Sequence, residues 1–280
     1  MKSRNILYIV ITIICVISII IAVYYQIFGN DTKPSIITNN IGDAQINNNE
    51  DIDLELIKSE FNSLFTNELN TQGNTVTGIE KLNDNREVIY PAYNIKEEKE
   101  DKYSVDINLP VFNVKGTVAS EFNQMTQAIF ANKASEVLNN PEFYTIYNVD
   151  YIAYINDNIL SLVIKSTLKE GANAQRVIVQ TYNYDLQTGQ KANLNSILES
   201  KTVNKQEINQ KIERQVSYAA TQAELISQAT SQAVYKRDLN NAMYLIDNVN
   251  SFFIGEGGKI YIVYAYGNSN FTSEIDIIEI

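Results

Sequence analysis

Hydrophobic and polar positions change their spacing several times along the 280-residue chain. Residues 6–28 form an unbroken apolar run, which as a helix rising about 1.5 Å per residue would cross roughly 30 Å of hydrocarbon. Lys2 and Arg4 precede this run, so the positive-inside rule predicts a cytoplasmic tail at residues 1–5. The run is longer than the apolar part of a usual signal peptide, and no small-residue cleavage site follows it. The sequence therefore predicts a single-pass membrane protein, N-terminus in the cytoplasm, whose remaining residues are extracytoplasmic.

The segment after the predicted anchor loses its periodicity. Residues 29–51 are rich in asparagine and read as a flexible tether. Beyond them, apolar residues recur at helical spacing at Leu54, Ile57, Phe61, Leu64 and Phe65. We predict a short helix at 52–70 and interpret it as a stalk, with packing on the domain as the alternative.

Apolar residues then recur at every second position in a first subdomain, which we expect at 76–140. Strands are predicted at 76–82, 86–95 and 103–112, with polar turns between them. An amphipathic helix follows at 118–138 and ends before Pro141.

The same order returns in a second subdomain, expected at 141–280. Strands are predicted at 143–155, 159–168, 175–186, 252–255, 259–267 and 274–280. A tight turn joins Asp185 to Gly189, where glycine supplies a positive φ, and Asn204 with Glu207 suggests a capping box for a helix that ends near Thr230. The chain is therefore predicted to be an α+β protein with mainly antiparallel sheets and one long helix in each half.

Composition removes several kinds of chemistry. The chain has no histidine, and its single cysteine, Cys15, lies in the predicted anchor. Serine–histidine and cysteine–histidine catalysis and histidine-ligated zinc are therefore excluded, and we predict no cofactor and no metal. Without Lys2 and Arg4 the chain keeps 20 basic against 33 acidic residues, a net charge of −13, which disfavours nucleic acid and favours cationic partners.

Two sets of residues match catalytic motifs in residue type and spacing. Ser166 and Lys169 match the S-x-x-K of penicillin-binding proteins, but they end a strand-like run and no K-T-G element accompanies them. Glu274 and Asp276, on one face of the last strand, and Glu170, in a loop, are the carboxylates that a glycan hydrolase would use. A solvated strand face is the plainer interpretation of Glu274 and Asp276.

Tyrosines in the predicted strands are the remaining candidates for a surface. Tyr182, Tyr184, Tyr264 and Tyr266 either pack within the sheets or form an exposed stripe that binds a glycan or a protein. The glycine-rich residues 255–258 are followed by a strand rather than a helix, so a hairpin turn is predicted there rather than a phosphate loop.

Residues 156–198, "NDNILSLVIKSTLKEGANAQRVIVQTYNYDLQTGQKANLNSIL", resemble the extracytoplasmic domain shared by RsiV-type anti-sigma factors and PdaC-type peptidoglycan deacetylases. The closing "FFIGEGGKIYIVYAYG" and the segment at 107–129 are similar to flanking parts of that domain, so the resemblance covers about residues 76–280. It implies a non-catalytic module facing the cell wall, which binds lysozyme in the RsiV type. The loop at 170–176 lacks the histidine often seen there, and its ends, Glu170 and Arg176, are candidate binding residues.

Two departures separate this chain from the whole proteins of that family. It lacks the metal-binding histidines of a deacetylase domain, and the tail at 1–5 is too short to hold a sigma factor. The sequence thus predicts a membrane-anchored binding module with lysozyme or a wall glycan as its ligand. The alternatives are a glycan hydrolase that uses the carboxylates named above and a single-span sensor of envelope stress.

Overall fold

The computed structural model describes residues 52–74, 78–201, 203–231, 233–267 and 274–280. Within these ranges, no helix combines the length and the apolar character needed to cross a membrane. The predicted tail, anchor and tether at 1–5, 6–28 and 29–51 lie outside the described residues.

The first described element is helix α1, Leu54–Ser63. Its N-cap, Asp53, accepts a hydrogen bond from the Leu56 N–H at 2.9 Å. The helix buries Phe61, whose ring contacts the rings of Phe65 and Phe253 at centroid distances of 5.2 and 6.3 Å. Helix α1 therefore packs on the domain, and the stalk expected at 52–70 is instead a ten-residue helix followed by a short strand.

Seven strands form the larger sheet, in the order β2-β3-β4-β5-β6-β7 with β1 also beside β4. Most neighbours are antiparallel, but β1 and β3 both run parallel to β4. The sheet is thus mixed rather than simply antiparallel. The strands are β1 Leu69–Asn70, β2 Ile89–Lys99, β3 Tyr103–Phe112, β4 Thr145–Asn156, β5 Ile159–Glu170, β6 Arg176–Asp185 and β7 Gln190–Lys191.

The β3–β4 pairing joins the two subdomains expected at 76–140 and 141–280. Both segments contribute strands to this one sheet, and Glu50–Ile280 forms one compact unit. The boundary expected after residue 140 is therefore only the connection between a helix and a strand. The strand expected at 76–82 is not formed at the described residues 78–82.

Tight turns set the register of the antiparallel strands. Asp101 joins β2 to β3 with φ +59°, and Asp157 joins β4 to β5 with φ +50°. Aspartate is among the residues that tolerate this left-handed conformation. The two-residue turn at Asp157 and Asn158 places Asn156 opposite Ile159 and so fixes the alternation of both strands.

Helix α2 covers one face of the large sheet. It consists of Thr117–Thr126, a π turn at Gln127–Ala131 and Asn132–Asn139, in direct succession. The side-chain amide of Asn123 donates to the Phe112 carbonyl and accepts from the Phe112 N–H, at 2.9 and 2.8 Å, which ties the helix to β3. Phe122 and Phe130 are buried beneath it, in a first core shared with β3–β6.

The second half adds two helices and a small antiparallel sheet. Helix α3 is Leu194–Ser200 and α4 is Lys205–Thr230. Asn204 caps α4 by accepting from the Gln206 N–H at 3.0 Å, while its amide donates to Glu207. The small sheet has the order β10-β9-β8, with β8 Phe252–Ile254, β9 Ile260–Tyr266 and β10 Glu274–Glu279. The turn at Glu256–Gly258 joins β8 to β9, which confirms the hairpin predicted there.

Alternating side chains of the small sheet enter two further cores. One face packs under α3 and α4, and the other packs on the large sheet together with α1. The two sheets are also joined by buried hydrogen bonds, because Ser161 donates to the Asn183 side chain at 2.6 Å and accepts from the Ile254 N–H at 3.0 Å. The Asn183 amide donates in turn to the Phe252 carbonyl at 2.7 Å. The layer order is therefore α2, large sheet, small sheet, and α4.

Candidate functional site

A cleft of about 400 Å³ opens at one end of the large sheet. Four chain segments line it: the β4–β5 turn, the β6–β7 turn with the strand β7 that follows it, helix α3 with the residues that flank it, and the end of β8. We call it the polar cleft, and its volume is within the range of small-molecule sites. Its lining residues are Asn156, Asp157, Asn158, Ile159, Asp185, Gln187, Thr188, Lys191, Ala192, Asn193, Ser196, Ile197, Ser200, Lys201 and Ile254.

Local hydrogen bonds hold the cleft in shape. Asp185 accepts from the N–H groups of Gln187 and Thr188 at 2.8 and 3.1 Å, which makes a side-chain-closed turn. Gly189 ends this turn with φ +69°, and a Cβ there would lie 3.3 Å from the Tyr184 hydroxyl. Asn193 accepts from the N–H groups of the first turn of α3. Asp185 and Gly189 thus begin and end the turn between β6 and β7.

Six polar side chains in the cleft make no hydrogen bond or ion pair with any described residue. They are Asp157, Asn158, Gln187, Thr188, Lys191 and Ser196. Together they supply amide and hydroxyl groups, one carboxylate and one ammonium group. Beside them, Ile159, Ile197 and Ile254 provide an apolar surface. Neutral donors and acceptors next to an apolar wall are suited to a neutral, hydroxyl-rich ligand.

The four candidate tyrosines do not form an exposed stripe. Tyr182 and Tyr184 are only 6% and 4% exposed and pack in the first core, where Tyr182 stacks on Phe122 at 4.3 Å and Tyr184 meets Phe112 edge-on at 4.7 Å. Burial raises the pKa of both hydroxyls. Their rings are therefore covered by protein, because the face of β6 that carries them lies under α2.

Tyr264 and Tyr266 are equally buried, under α4 and the segment that follows it. The Tyr266 hydroxyl donates to Asp276 at 3.0 Å and accepts from the Tyr244 hydroxyl at 3.0 Å. Tyr235 stacks on the Tyr266 ring at 4.5 Å. Burial is the largest cause that raises the pKa of Tyr266, and the nearby charge of Asp276 adds to it.

The carboxylates Glu274 and Asp276 share one face of β10, as predicted, but that face is not solvated. Both pair with Arg237, which sits 39 residues upstream of Asp276 and is almost fully buried. Two bonds at 2.7 and 2.8 Å join its guanidinium to Asp276, and a contact at 3.1 Å joins it to Glu274. Burial alone would lower the pKa of Arg237, but the hydrogen bonds and charge of Asp276 raise it above the usual value.

Glu170 and Arg176 are brought together at the opposite end of β5 from the polar cleft. They form an ion pair at 2.6 Å, and Lys133 from α2 contacts the other oxygen of Glu170 at 2.7 Å. The hydrogen bond from Lys133 is the main cause that lowers the pKa of Glu170. A general acid needs the opposite shift, so the structure gives Glu170 the features of an ion-pair partner.

Sequence reasoning did not find the free side chains of the cleft, Arg237 or Lys133. The cleft residues lie in turns and have no period, so only the clustering of Asn, Asp, Gln and Thr near 156–158 and 185–193 signalled them. Ser166 and Lys169 lie three residues apart on β5, so their side chains project from opposite faces of the strand. Among the described residues, no three acidic or thiol side chains come together as metal ligands.

Solved structures provide two comparisons. The chain is similar to a DUF3298 family protein from Pseudomonas aeruginosa PAO1, with 8% identity and a TM-score of 0.34, over 65% of this chain and 83% of that one. It is also similar to a member of the DUF3298 family from Bacteroides fragilis NCTC 9343, with 12% identity and a TM-score of 0.32, over 64% and 80%. DUF3298 denotes a domain of unknown function. No protein-family model and no curated protein matches the chain.

Proposed function

We propose that this protein is a non-catalytic binding module that faces the cell wall and takes a wall glycan in the polar cleft. The observation that carries the proposal is the set of unpaired neutral donors and acceptors beside an apolar wall in that cleft. Sugars present hydroxyl groups at their rims and C–H groups on their faces, so both parts of the lining have a partner. In this proposal residues 6–28 are the membrane anchor, as the sequence predicts.

The carboxylates proposed for a glycan hydrolase give that alternative no support. Asp276 and Glu274 are held by Arg237, and Glu170 is held by Lys133 and Arg176. Each acid thus contacts a cation, with Arg237 shared by Asp276 and Glu274, and none of the three acids lines the polar cleft. An inverting or retaining mechanism needs two carboxyl groups facing one sugar bond. We therefore propose binding without catalysis.

The test is co-sedimentation of the full chain, in detergent, with purified peptidoglycan. A variant that combines Gln187→Ala with Thr188→Ala should bind at least about tenfold more weakly, since each lost hydrogen bond is worth about 1 kcal/mol. The matched control is Gln124→Ala, an exposed glutamine on α2, which should bind like the unaltered chain. Equal binding by the double variant, or no sedimentation at all, would contradict the proposal.

A cationic protein such as lysozyme is a second candidate ligand, because exposed acids gather at the β2–β3 turn. Glu98, Glu100 and Asp101 are all exposed there. A salt series separates specific from general attraction, since charges at a surface are screened within about 8 Å at 0.15 M salt. Tight one-to-one binding of lysozyme above that salt concentration favours the second candidate. Binding that disappears there is general attraction and leaves the glycan as the proposed ligand.

A further inference from the structure

One edge of the large sheet is left open along most of a strand. Strand β6 pairs with β5 along its whole length, but on its other side it pairs with β7 only at Tyr184 and Asp185. Among the described residues, none bonds to the outer backbone groups of residues 176–182. We call residues 176–182 the free edge.

The direction of each backbone group follows from two hydrogen bonds. The Leu186 N–H donates to the Asn158 carbonyl at 2.8 Å, in register with the β5–β6 ladder, so even-numbered residues of β6 bond inward to β5. The Asn183 carbonyl accepts from the Ala192 N–H at 2.9 Å on the β7 side, so odd-numbered residues point outward. Val177, Val179 and Thr181 therefore direct three N–H and three C=O groups away from the sheet.

The free edge lacks the features that keep strand edges from pairing. Residues 177–184 carry no charge and consist mainly of β-branched and aromatic residues. The other edge of this sheet, β2, has Pro91, a register shift beside it, and a charged end at residues 96–99. Proline, bulges and lysine are the devices that natural sheets use to block edge-to-edge pairing. Their presence on β2 and absence from the free edge distinguish the two.

Apolar side chains on the same side of the molecule are also left exposed. The Val118 carbonyl accepts a hydrogen bond from the Tyr182 hydroxyl, and Lys133 forms an ion pair with Glu170. The side of α2 that carries Val118 and Lys133 therefore faces β5 and β6. Met125 and Ile129 lie between those two positions and are 43% and 38% exposed, and Ile178 on β6 is 46% exposed. An exposed apolar group beside an open strand is typical of an interaction surface.

We propose that the free edge pairs with the free edge of a second copy of this chain, antiparallel, on a two-fold axis at Val179. Val179 is the midpoint of residues 176–182, and this register sets Val177 of one copy opposite Thr181 of the other. All outward groups of Val177, Val179 and Thr181 then pair, giving six hydrogen bonds across the axis. The proposal concerns a different surface from the polar cleft and does not depend on it.

The symmetry of the register selects a second copy as the occupant, because the same outward groups serve as both partners of every hydrogen bond across the axis. The chain has a net charge of −11, so two copies repel each other overall and can approach closely only where their surfaces are neutral. The free edge is such a place, and antiparallel self-pairing sets no like charges opposite each other, since Arg176 meets Tyr182. The axis at Val179 also places Met125, Ile129 and Ile178 of both copies on the same face of the paired sheets.

The test uses cysteine pairs in the full chain, in detergent, with Cys15→Ser as the background. Val179→Cys should form a disulfide-linked dimer alone, because residues paired across the axis have Cα atoms about 5.5 Å apart. Val177→Cys and Thr181→Cys should each fail alone, since equal positions are then about 13 Å apart at 3.3 Å per residue. A mixture of differently tagged Val177→Cys and Thr181→Cys chains should crosslink. Glu98→Cys, on the β2 edge, is the control and should not.

A second variant keeps the result independent of crosslinking. Val177→Pro removes only an outward N–H, so the β5–β6 ladder and the thermal midpoint should be kept while light scattering reports loss of the dimer. A monomeric unaltered chain, a dimer that survives Val177→Pro, or crosslinks strongest at Glu98→Cys would each overturn the proposal. Recovery of the free edge bound to a different protein instead of a second copy would overturn it as well.

Discussion

Arg237 pairs with one buried and one half-buried carboxylate, and its replacement tests whether the end of the small sheet depends on that charge. In Arg237→Met the Asp276 side chain, 8% exposed, and the Glu274 side chain, 23% exposed, lose the cation that contacts them. Removing one partner of a buried ion pair costs about 3–5 kcal/mol. The bonds at 2.7 and 2.8 Å to Asp276 make the upper part of that range the expected loss. This is a large share of a typical domain stability of about 5–15 kcal/mol.

Urea unfolding followed by tyrosine near-ultraviolet circular dichroism measures the loss, since the chain has no tryptophan. The matched control is Lys205→Met, which breaks a pair with Asp247 at 2.9 Å whose side chains are 34% and 63% exposed. Such a surface pair is worth about 0–1 kcal/mol.

A loss below about 1 kcal/mol in Arg237→Met, or an equal loss in Lys205→Met, would refute the reasoning.

Three other perturbations test separate parts of the fold. Phe61→Ala should cost about 3–5 kcal/mol by emptying the site between α1 and the small sheet, whereas Leu56→Ala, at an exposed position, should stay within about 0.5 kcal/mol in the same urea assay. Ser161→Ala should cost about 1–3 kcal/mol, because it leaves the Ile254 N–H and the side-chain oxygen of Asn183 without their partner. Hydrogen exchange should then rise first at Ile254. Glu170→Gln should lower the free energy of unfolding near pH 7, because the ionised Glu170 carboxylate stabilises the folded state. Below the lowered pKa of Glu170 the variant should be as stable as the unaltered chain. A constant difference between the two down to pH 2 would contradict this prediction.

Strands were the most predictable elements because their side chains alternate between two environments. Residues 103–112 were predicted as a strand and β3 is Tyr103–Phe112, and the strand predicted at 175–186 is β6 Arg176–Asp185. The α4 helix was found from one apolar stripe and a cap, and ends at Thr230 as expected. Local chemistry determines all three, so a single sequence shows them.

Long-range pairing was not predictable, because nothing local records it. The apolar stripe of α1 is equally compatible with a stalk and with a packed helix. What distinguishes the two is the contact between Phe61 and Phe253, a residue far along the chain. The alternation of β10 shows that Glu274 and Asp276 share a face, but not that Arg237, in a segment without regular structure, covers that face. The same limit explains why the tyrosines of β6 and β9 could be read either as a surface or as core.

The packing of α1 against the small sheet has a consequence for the order in which the chain can fold. The large sheet needs only residues up to 191, but the third core joins Phe61 to Val263 and Ile277, more than 200 residues later. Such distant contacts form after the long loop between them has been closed, which slows folding. While the chain is being made, the core around Phe61 stays incomplete until residues 274–280 arrive. A helper protein that shields apolar surface would therefore act longest at the beginning of this domain.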